Sequence, residues 1–232
     1  MTIGHFILIK LNNGHLGVRM SQALLKARDL DEKAERRRTI LRAANALLDI
    51  RRQTLPPASA IAAEAGLAKG TLYLYFQTKE EIYLALLGEW FGLLLDVLRP
   101  AVESDAPTVE NLVRRYTRFC AKNPRFMFLA SMSASILEQN ISEDMAHAFK
   151  KSLVDNVGAM TQTLAAKTSA DETQLRKGFI HMFSLSTGLW QHCHPPQVVE
   201  RAYTRGDAQL IEMDFEQDLY TALLGLFGSM LS

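Results

Sequence analysis

The sequence predicts an all-α fold, and three observations lead there. From Asp31 onward apolar residues recur at spacings of three and four. No strictly alternating run bounded by hairpin-turn residues interrupts them. The 232 residues are 48% hydrophobic with 13 Gly and 7 Pro, enough to bury a real core and unlike a disordered, collagen-like or disulfide-stapled chain.

The first helix is expected over 33–50, with Ile40, Leu41, Ala44, Leu47 and Leu48 on one face and Arg36, Arg37, Arg38 and Arg42 toward its start. Pro56 and Pro57 end whatever precedes them, since each lacks an amide hydrogen and restricts its predecessor. A short helix fits 59–65, closed by Gly66, and another fits 69–76. Thr78 reads as the N-cap of a long helix that starts at Lys79, carries Glu80 and Glu81 in its first turn, and reaches Leu98 before Pro100. Further helices are expected over 108–122, 125–139, 143–167, 172–192 and 211–231, with breaks at Pro107, Asn123-Pro124, 169–171 and 194–207. Residues 1–28 read as a leader or N-terminal arm, weakly patterned over 1–18, and one reading takes Met20 as the natural start.

The net charge of +1 conceals an asymmetry. Residues 19–80 hold 12 Lys and Arg against 7 Asp and Glu, whereas residues 81–232 hold 13 against 18. A basic front on an acidic rear points to a polyanion as the partner of the front. The longest apolar tract, 82–98, is interrupted by Glu89 and Asp96 and falls short of the roughly 20 residues of a membrane span. No export signal is expected, and Cys120 and Cys193 suit a reducing cytoplasm. No nucleophile elbow, phosphate-binding loop, C-x-x-C, H-E-x-x-H or dinucleotide fingerprint occurs, so catalysis has no visible carrier and no cofactor is expected.

The informative window is Ile61-Ala62-Ala63-Glu64-Ala65-Gly66-Leu67-Ala68-Lys69-Gly70-Thr71-Leu72-Tyr73-Leu74-Tyr75-Phe76, followed by Lys79-Glu80-Glu81. Small Ala62 and Ala65 let one short helix approach another, and Gly66 permits the positive backbone angle of a tight interhelical turn. At about 100° per residue, Leu72 and Phe76 face the core while Gly70, Thr71 and Leu74 lie opposite. An apolar Leu74 aimed outward needs a second surface. The major groove supplies one, because thymine methyls accept apolar contacts and threonine bonds base edges. Tyr73 and Tyr75 flank this face, within reach of phosphates.

In this window the chain resembles the TetR/AcrR family of bacterial transcriptional regulators, in which a stretch like IAxxAGVSKGTLYxYFxSKExL forms the second helix, the turn, the recognition helix and the start of the fourth helix. The resemblance implies a three-helix DNA-binding domain over 29–80 and a helical effector-binding and dimerisation domain over 81–232. It implies a groove-facing set of Lys69, Gly70, Thr71, Tyr73, Leu74 and Tyr75, with Lys79 on a phosphate. The family's usual Thr or Ser stands replaced by Pro56 and Pro57, which removes a helix cap and a phosphate contact. Arg51, Arg52 or Ser59 are candidates to replace them, and Arg36 to Arg38 either follow the backbone or form a solvated face.

A homodimer on an inverted-repeat operator is expected, with the last two helices as the interface: Gly178, Leu185, Gly188 and Leu189 in one, Phe215, Leu219, Leu223, Leu226, Phe227 and Met230 in the other. The same residues could serve the monomer core instead. The resemblance also implies a small, largely apolar effector that releases DNA, making the protein a repressor. Candidate cavity residues are Trp90, Phe91, Phe119, Phe126, Met127, Phe128, Met132, Phe183 and Trp190, with His181, Ser133 or Gln139 as polar anchors. A competing reading is a DNA-bound protein that recruits a partner and has no effector. His192-Cys193-His194 invites a metal reading, but neighbouring residues on a helix diverge by about 100°, and no metal site is expected.

Overall fold

A computed structural model describes residues 13–168, 170–203 and 212–228. Among them no strand forms; a lone antiparallel bridge pairs Asp49 with Thr54. The chain makes two compact units, residues 1–39 and 40–232. Helix α1 (Asn13–Leu47) contributes to both. It starts twenty residues before the expected position because 21–38 is rich in Ala, Leu, Lys, Arg and Glu, which sustain a helix without an apolar stripe. The supposed leader is therefore helical from Asn13, and the rest of it, residues 1–12, lies outside the described residues. Within the first unit the side chains pair locally, Arg36 with Glu32 at 3.8 Å and Arg38 with Glu35 at 2.8 Å.

The second unit begins with the end of α1, whose Ile40, Leu41, Ala44 and Leu48 are buried. A tight loop follows, in which Gln53 takes a left-handed backbone with φ 49°. Helix α2 (Ala58–Glu64) starts after Pro57 with no side-chain cap, as the two prolines require. Gly66 makes the turn at φ +67°, leading to α3 (Lys69–Leu72). The expected helix over 69–76 keeps regular geometry only to Leu72. Beyond it the chain turns through Tyr75, held by bonds such as Leu74 N–H to the Thr71 carbonyl at 3.1 Å and Phe76 N–H to the Leu72 carbonyl at 3.2 Å. Leu72 and Phe76 are buried as the angular argument requires.

Helix α4 (Lys79–Val102) is capped by Thr78, whose hydroxyl accepts the Glu81 N–H at 3.1 Å, while the Glu81 carboxylate accepts the Gln77 N–H at 2.7 Å. It passes beyond the expected stop at Leu98, because Pro100 falls in the last turn, where its missing N–H forfeits a single backbone bond. Helices α5 (Val109–Lys122) and α6 (Pro124–Met132) follow. The helix expected over 125–139 breaks after Met132. The Ser131 and Ser133 hydroxyls donate to the Phe128 and Ala130 carbonyls, competing with the backbone ladder, and a separate 3-10 turn forms at Leu137–Gln139. Helices α7 (Glu143–Thr168) and α8 (Glu172–Cys193) match expectation. A short α9 (Gln197–Tyr203) occupies part of the expected break, and α10 (Phe215–Gly228) lies inside the expected 211–231, whose ends fall outside the described residues.

Helix α4 packs against α5, α6 and α7; α8 packs against α6 and α7; and α10 lies on α5 and α8. Hydrogen bonds tie the head, residues 40–80, to the rest of this unit. The Thr78 hydroxyl donates to the Asn140 carbonyl at 2.8 Å, the Gln53 side-chain amide donates to the His194 carbonyl at 2.8 Å, and the Gln197 side-chain amide donates to the Arg51 carbonyl at 3.4 Å. No described helix is long and apolar enough to cross a membrane.

The contrast between Leu72 and Leu74 yields a stability prediction. Truncating buried Leu72 to Ala should cost about 2–5 kcal/mol, whereas Leu74→Ala should stay within about 0.5 kcal/mol. Urea unfolding followed by circular dichroism reads both; equal losses would contradict the assigned facing.

Candidate nucleic-acid interface and effector cavity

The head presents a short, exposed edge. Leu74 is 78% exposed and Tyr73 43% exposed, against 0% for the adjacent Leu72. Lys69, at the start of α3, is exposed with its ammonium 5.9 Å from the Tyr73 ring centroid. Thr71 is half-buried beside them. Gly70 is exposed, and a Cβ there would meet no atom of the chain within 4 Å, so internal packing does not demand glycine at this position. Tyr75 is half-buried and packs against the core, which turns much of it away from the exposed edge it was expected to share. Lys79 opens α4, where backbone N–H groups face outward, and lies 3.8 Å from Glu80. Ser59 is exposed on α2. Arg51 and Arg52 are exposed on the preceding loop, Arg52 leaning on Asp49 at 3.3 Å. Arg36 is exposed within the separate N-terminal unit.

Behind the head, a cavity of about 330 Å³ opens between α4, α7 and α8. Phe91, Leu94 and Leu98 from α4, Leu153 and Val157 from α7, and Phe179 and Phe183 from α8 supply apolar walls. Polar groups are few. Tyr116 presents a ring whose hydroxyl is bonded to Ser186 at 2.7 Å, and Ser133 lines the wall with its hydroxyl turned to the Ala130 carbonyl at 3.0 Å. Two ion pairs border the space. Lys150 meets Glu138 at 2.7 Å, and Arg176 meets Glu172 through Nε at 2.9 Å and Nη2 at 2.7 Å. Arg176 lies flat against α7 because Gly158 is there: a Cβ at that position would sit 3.0 Å from its Nη2.

The predicted effector residues divide. Phe183, together with Phe91 and Ser133, lines the cavity. Phe126 is fully buried and joins Phe91 at 5.3 Å and Phe119 at 5.4 Å, an edge-to-face cluster behind the wall. Trp90 and Phe119 border a different groove between α4 and α5, beside Arg115, Arg118 and Lys122. Trp190 belongs to another cluster, stacked on the His194 ring at 3.6 Å and edge-on to Phe215 at 5.2 Å. Met132 is half-buried and His181 exposed, and neither lines the cavity. Lys150, Arg176 and Glu138 were missed. Glu172 and Arg176 at i and i+4 resemble an ordinary surface pair, and nothing local brings Lys150 to Glu138 twelve residues earlier.

Among the described residues no group of three or more His, Cys, Asp and Glu side chains is arranged to hold a metal. Both cysteines are free. Burial pushes the Cys120 thiol up to about 12. Partial burial, with Asp218 and Asp214 nearby, raises that of Cys193. Neither is an activated thiolate. Iodoacetamide applied near neutral pH should label Cys193 slowly and Cys120 only after denaturation, as mass spectrometry would read. Equal labelling in the native protein would contradict this burial.

Comparison with known proteins adds three findings. Residues 85–227 match the family model of tetracyclin repressor-like C-terminal domains, and residues 57–86 match that of bacterial regulatory proteins of the tetR family. Over 54 residues the chain is 39% identical to the fatty acid metabolism regulator protein of Bacillus subtilis (strain 168), a stretch that is 23% of this chain and 28% of that relative. Among solved structures, the fatty acid degradation regulator FadR of Bacillus halodurans aligns with TM-score 0.51 at 18% identity, over 81% of this chain and 94% of that one. FadR of Bacillus subtilis in complex with stearoyl-CoA aligns with TM-score 0.51 at 17% identity, over 81% and 95%. A putative tetR family regulator from Shewanella sp. PV-4 aligns with TM-score 0.51 at 17% identity, over 84% and 97%. At such identities these structures establish a shared fold.

Proposed function

The chain belongs to the TetR family of bacterial transcriptional regulators, and on that premise we propose that it is a homodimeric repressor that leaves an inverted-repeat operator when an amphiphilic effector fills the α4–α7–α8 cavity. The observation that carries the DNA half of this reading is Leu74, 78% exposed on a segment anchored from behind by the buried Leu72 and Phe76. An apolar side chain held in water by a turn anchored at the buried Leu72 and Phe76 suits a thymine methyl, and Lys69, Thr71 and Tyr73 surround it with donors. Gly70, with open space around it, leaves room for duplex backbone. Lys79 and Ser59 complete the footprint on phosphates, with Tyr75 at its margin, and Arg36 is a separate phosphate candidate in the N-terminal unit. In this division residues 29–80 read DNA and residues 81–232 respond.

The effector half rests on the cavity's chemistry. Its walls are aromatic and aliphatic, with ion pairs at the border, which suits a chain-bearing molecule with a polar end. The Bacillus subtilis FadR complex with stearoyl-CoA supports an acyl chain as the apolar part. Two recognition edges set on one duplex face require a two-fold partner, with half-sites about 34–36 Å apart or a multiple of that. Phe215, Leu219, Leu223 and Phe227 are buried within the monomer, so the interface expected of them shifts to what α8 and α10 leave exposed: Ser184, Gly188, Ala222 and Gly225. Sedimentation should show a dimer that Gly188→Arg converts to monomer; a dimer untouched by that change would move the interface elsewhere.

Competition titrations on an operator library at two salt concentrations test the DNA reading. Lys79→Ala should weaken binding to all sequences and reduce the salt slope by about 1. Thr71→Ala and Leu74→Ala should instead change which sequence is preferred, by about 1–3 kcal/mol at one base pair. Uniform losses for all three variants would defeat the assignment.

A further inference from the structure

Glu138 and Lys150 do not share their ion pair equally. The Glu138 side chain is 21% exposed and the Lys150 side chain 56% exposed, and both line the cavity. The carboxylate is the buried partner and depends on the ammonium; the ammonium, nearer water, does not depend on the carboxylate. Glu138 also sits in the middle of the 3-10 turn Leu137–Gln139. Leu137 anchors that turn with a fully buried side chain, and the next residue, Asn140, offers the carbonyl that receives the Thr78 hydroxyl. That hydroxyl simultaneously caps α4 through the Glu81 N–H. A continuous path of four residues therefore runs from the cavity wall to the N-terminus of α4, directly after the DNA-reading segment.

We propose that the effector carries an anionic end which takes Lys150 from Glu138, and that the displaced carboxylate moves the Leu137–Gln139 turn, opening the Asn140–Thr78 bond and releasing the head. This rests on the effector reading above and assigns its headgroup and its route. The physical drive is the position of Glu138. Once an anion occupies Lys150, Glu138 is a mostly buried charge with no counterion and a like charge beside it, and water is the place where that cost is relieved. Reaching water requires the turn to shift, and the carbonyl of Asn140 shifts with it. Arg176 is the fixed cation of the same cavity: two bonds from Glu172 and the floor provided by Gly158 hold it in place. Lys150, with one exposed partner bond and a flexible stem, is the exchangeable one. The anion could be the carboxylate of a free fatty acid or the phosphates of an acyl-CoA.

The test uses full-length protein, the operator recovered by selection from random DNA, and three probes: dodecanoate, dodecanoyl-CoA and 1-dodecanol. Probe binding is followed by calorimetry and operator affinity by anisotropy. The charged probes should weaken operator binding about tenfold and dodecanol by less than about twofold. Whether dodecanoate or dodecanoyl-CoA acts at lower concentration tells which source of negative charge the site takes. Lys150→Gln should weaken binding of the charged probes about tenfold and leave dodecanol binding unchanged. Glu138→Gln should split the two readouts, with charged probes binding more tightly while their effect on operator affinity disappears. Thr78→Asp keeps a cap for Glu81 but cannot donate to Asn140. Its operator affinity should become insensitive to probes that still bind, while Thr78→Ser behaves as wild type. Dodecanol releasing DNA as well as dodecanoate would overturn this inference while leaving the effector reading intact. So would parallel loss of binding and release in Glu138→Gln, or undiminished release in Thr78→Asp. A protein that selects its operator yet binds none of the three probes would overturn the effector reading and this inference together.

Discussion

The constraint on which the rest of the second unit depends is the continuity of α4. A helix of 24 residues whose backbone ladder loses a bond only at Pro100, in its last turn, behaves as a rod, and its first turn and its middle cannot move independently. Its N-terminal part packs into the head, where Ile82 and Tyr83 are fully buried and the Tyr83 hydroxyl donates to the Pro56 carbonyl at 3.2 Å. Its later turns give Phe91, Leu94 and Leu98 to the cavity wall. One rigid body therefore belongs to both places. Behind that wall the interior is close-packed, Phe91 resting on Phe126 at 5.3 Å, so a shift of the wall is not absorbed by loose space at its back.

The cavity and the buried polar groups around it show how few polar atoms such a space needs. Tyr116 and Ser186 satisfy each other at 2.7 Å, and Ser133 satisfies its hydroxyl on its own helix, so the apolar wall carries little unmet hydrogen-bonding demand. Desolvation holds the Tyr116 phenol far above its ordinary range, which keeps it a neutral donor. The charges stay at the border, each cation with a carboxylate. Apolar surface and charge are thereby separated in space, the first lining the cavity and the second confined to ion pairs at its border.

Much of the head was legible in the sequence because its constraints are local. Gly66 at φ +67°, Thr78 as a cap, and the split between Leu72 and Leu74 all follow from residue type and helical angle. The long helices beyond Pro100 followed from periodicity. What escaped was set by non-local or competing interactions. The break after Met132 comes from two serine hydroxyls that bond backward, inside a segment whose apolar spacing reads as uninterrupted. Helix α9 has no buried residue to mark it. The aromatic residues were rightly read as interior, but composition cannot tell a wall from the layer behind it. Thus Phe183 faces the space while Phe126 only supports Phe91. Ion pairs across elements, Lys150 to Glu138 above all, leave no spacing signature.

Gln53 shapes another attachment of the head. A left-handed glutamine is an uncommon conformer that glycine would adopt without penalty, and its side chain is the group that holds the His194 carbonyl at 2.8 Å. Glycine would ease the local backbone and abolish the grip. The stacked Trp190 and His194 rings keep the receiving carbonyl at the tail of α8 in place, while the loop is closed from within by the Gln53 N–H on the Ile50 carbonyl at 3.2 Å and by the Asp49–Thr54 bridge. The junction is thus a clasp whose hook is a single side chain of the head and whose eye is a backbone carbonyl on the other side.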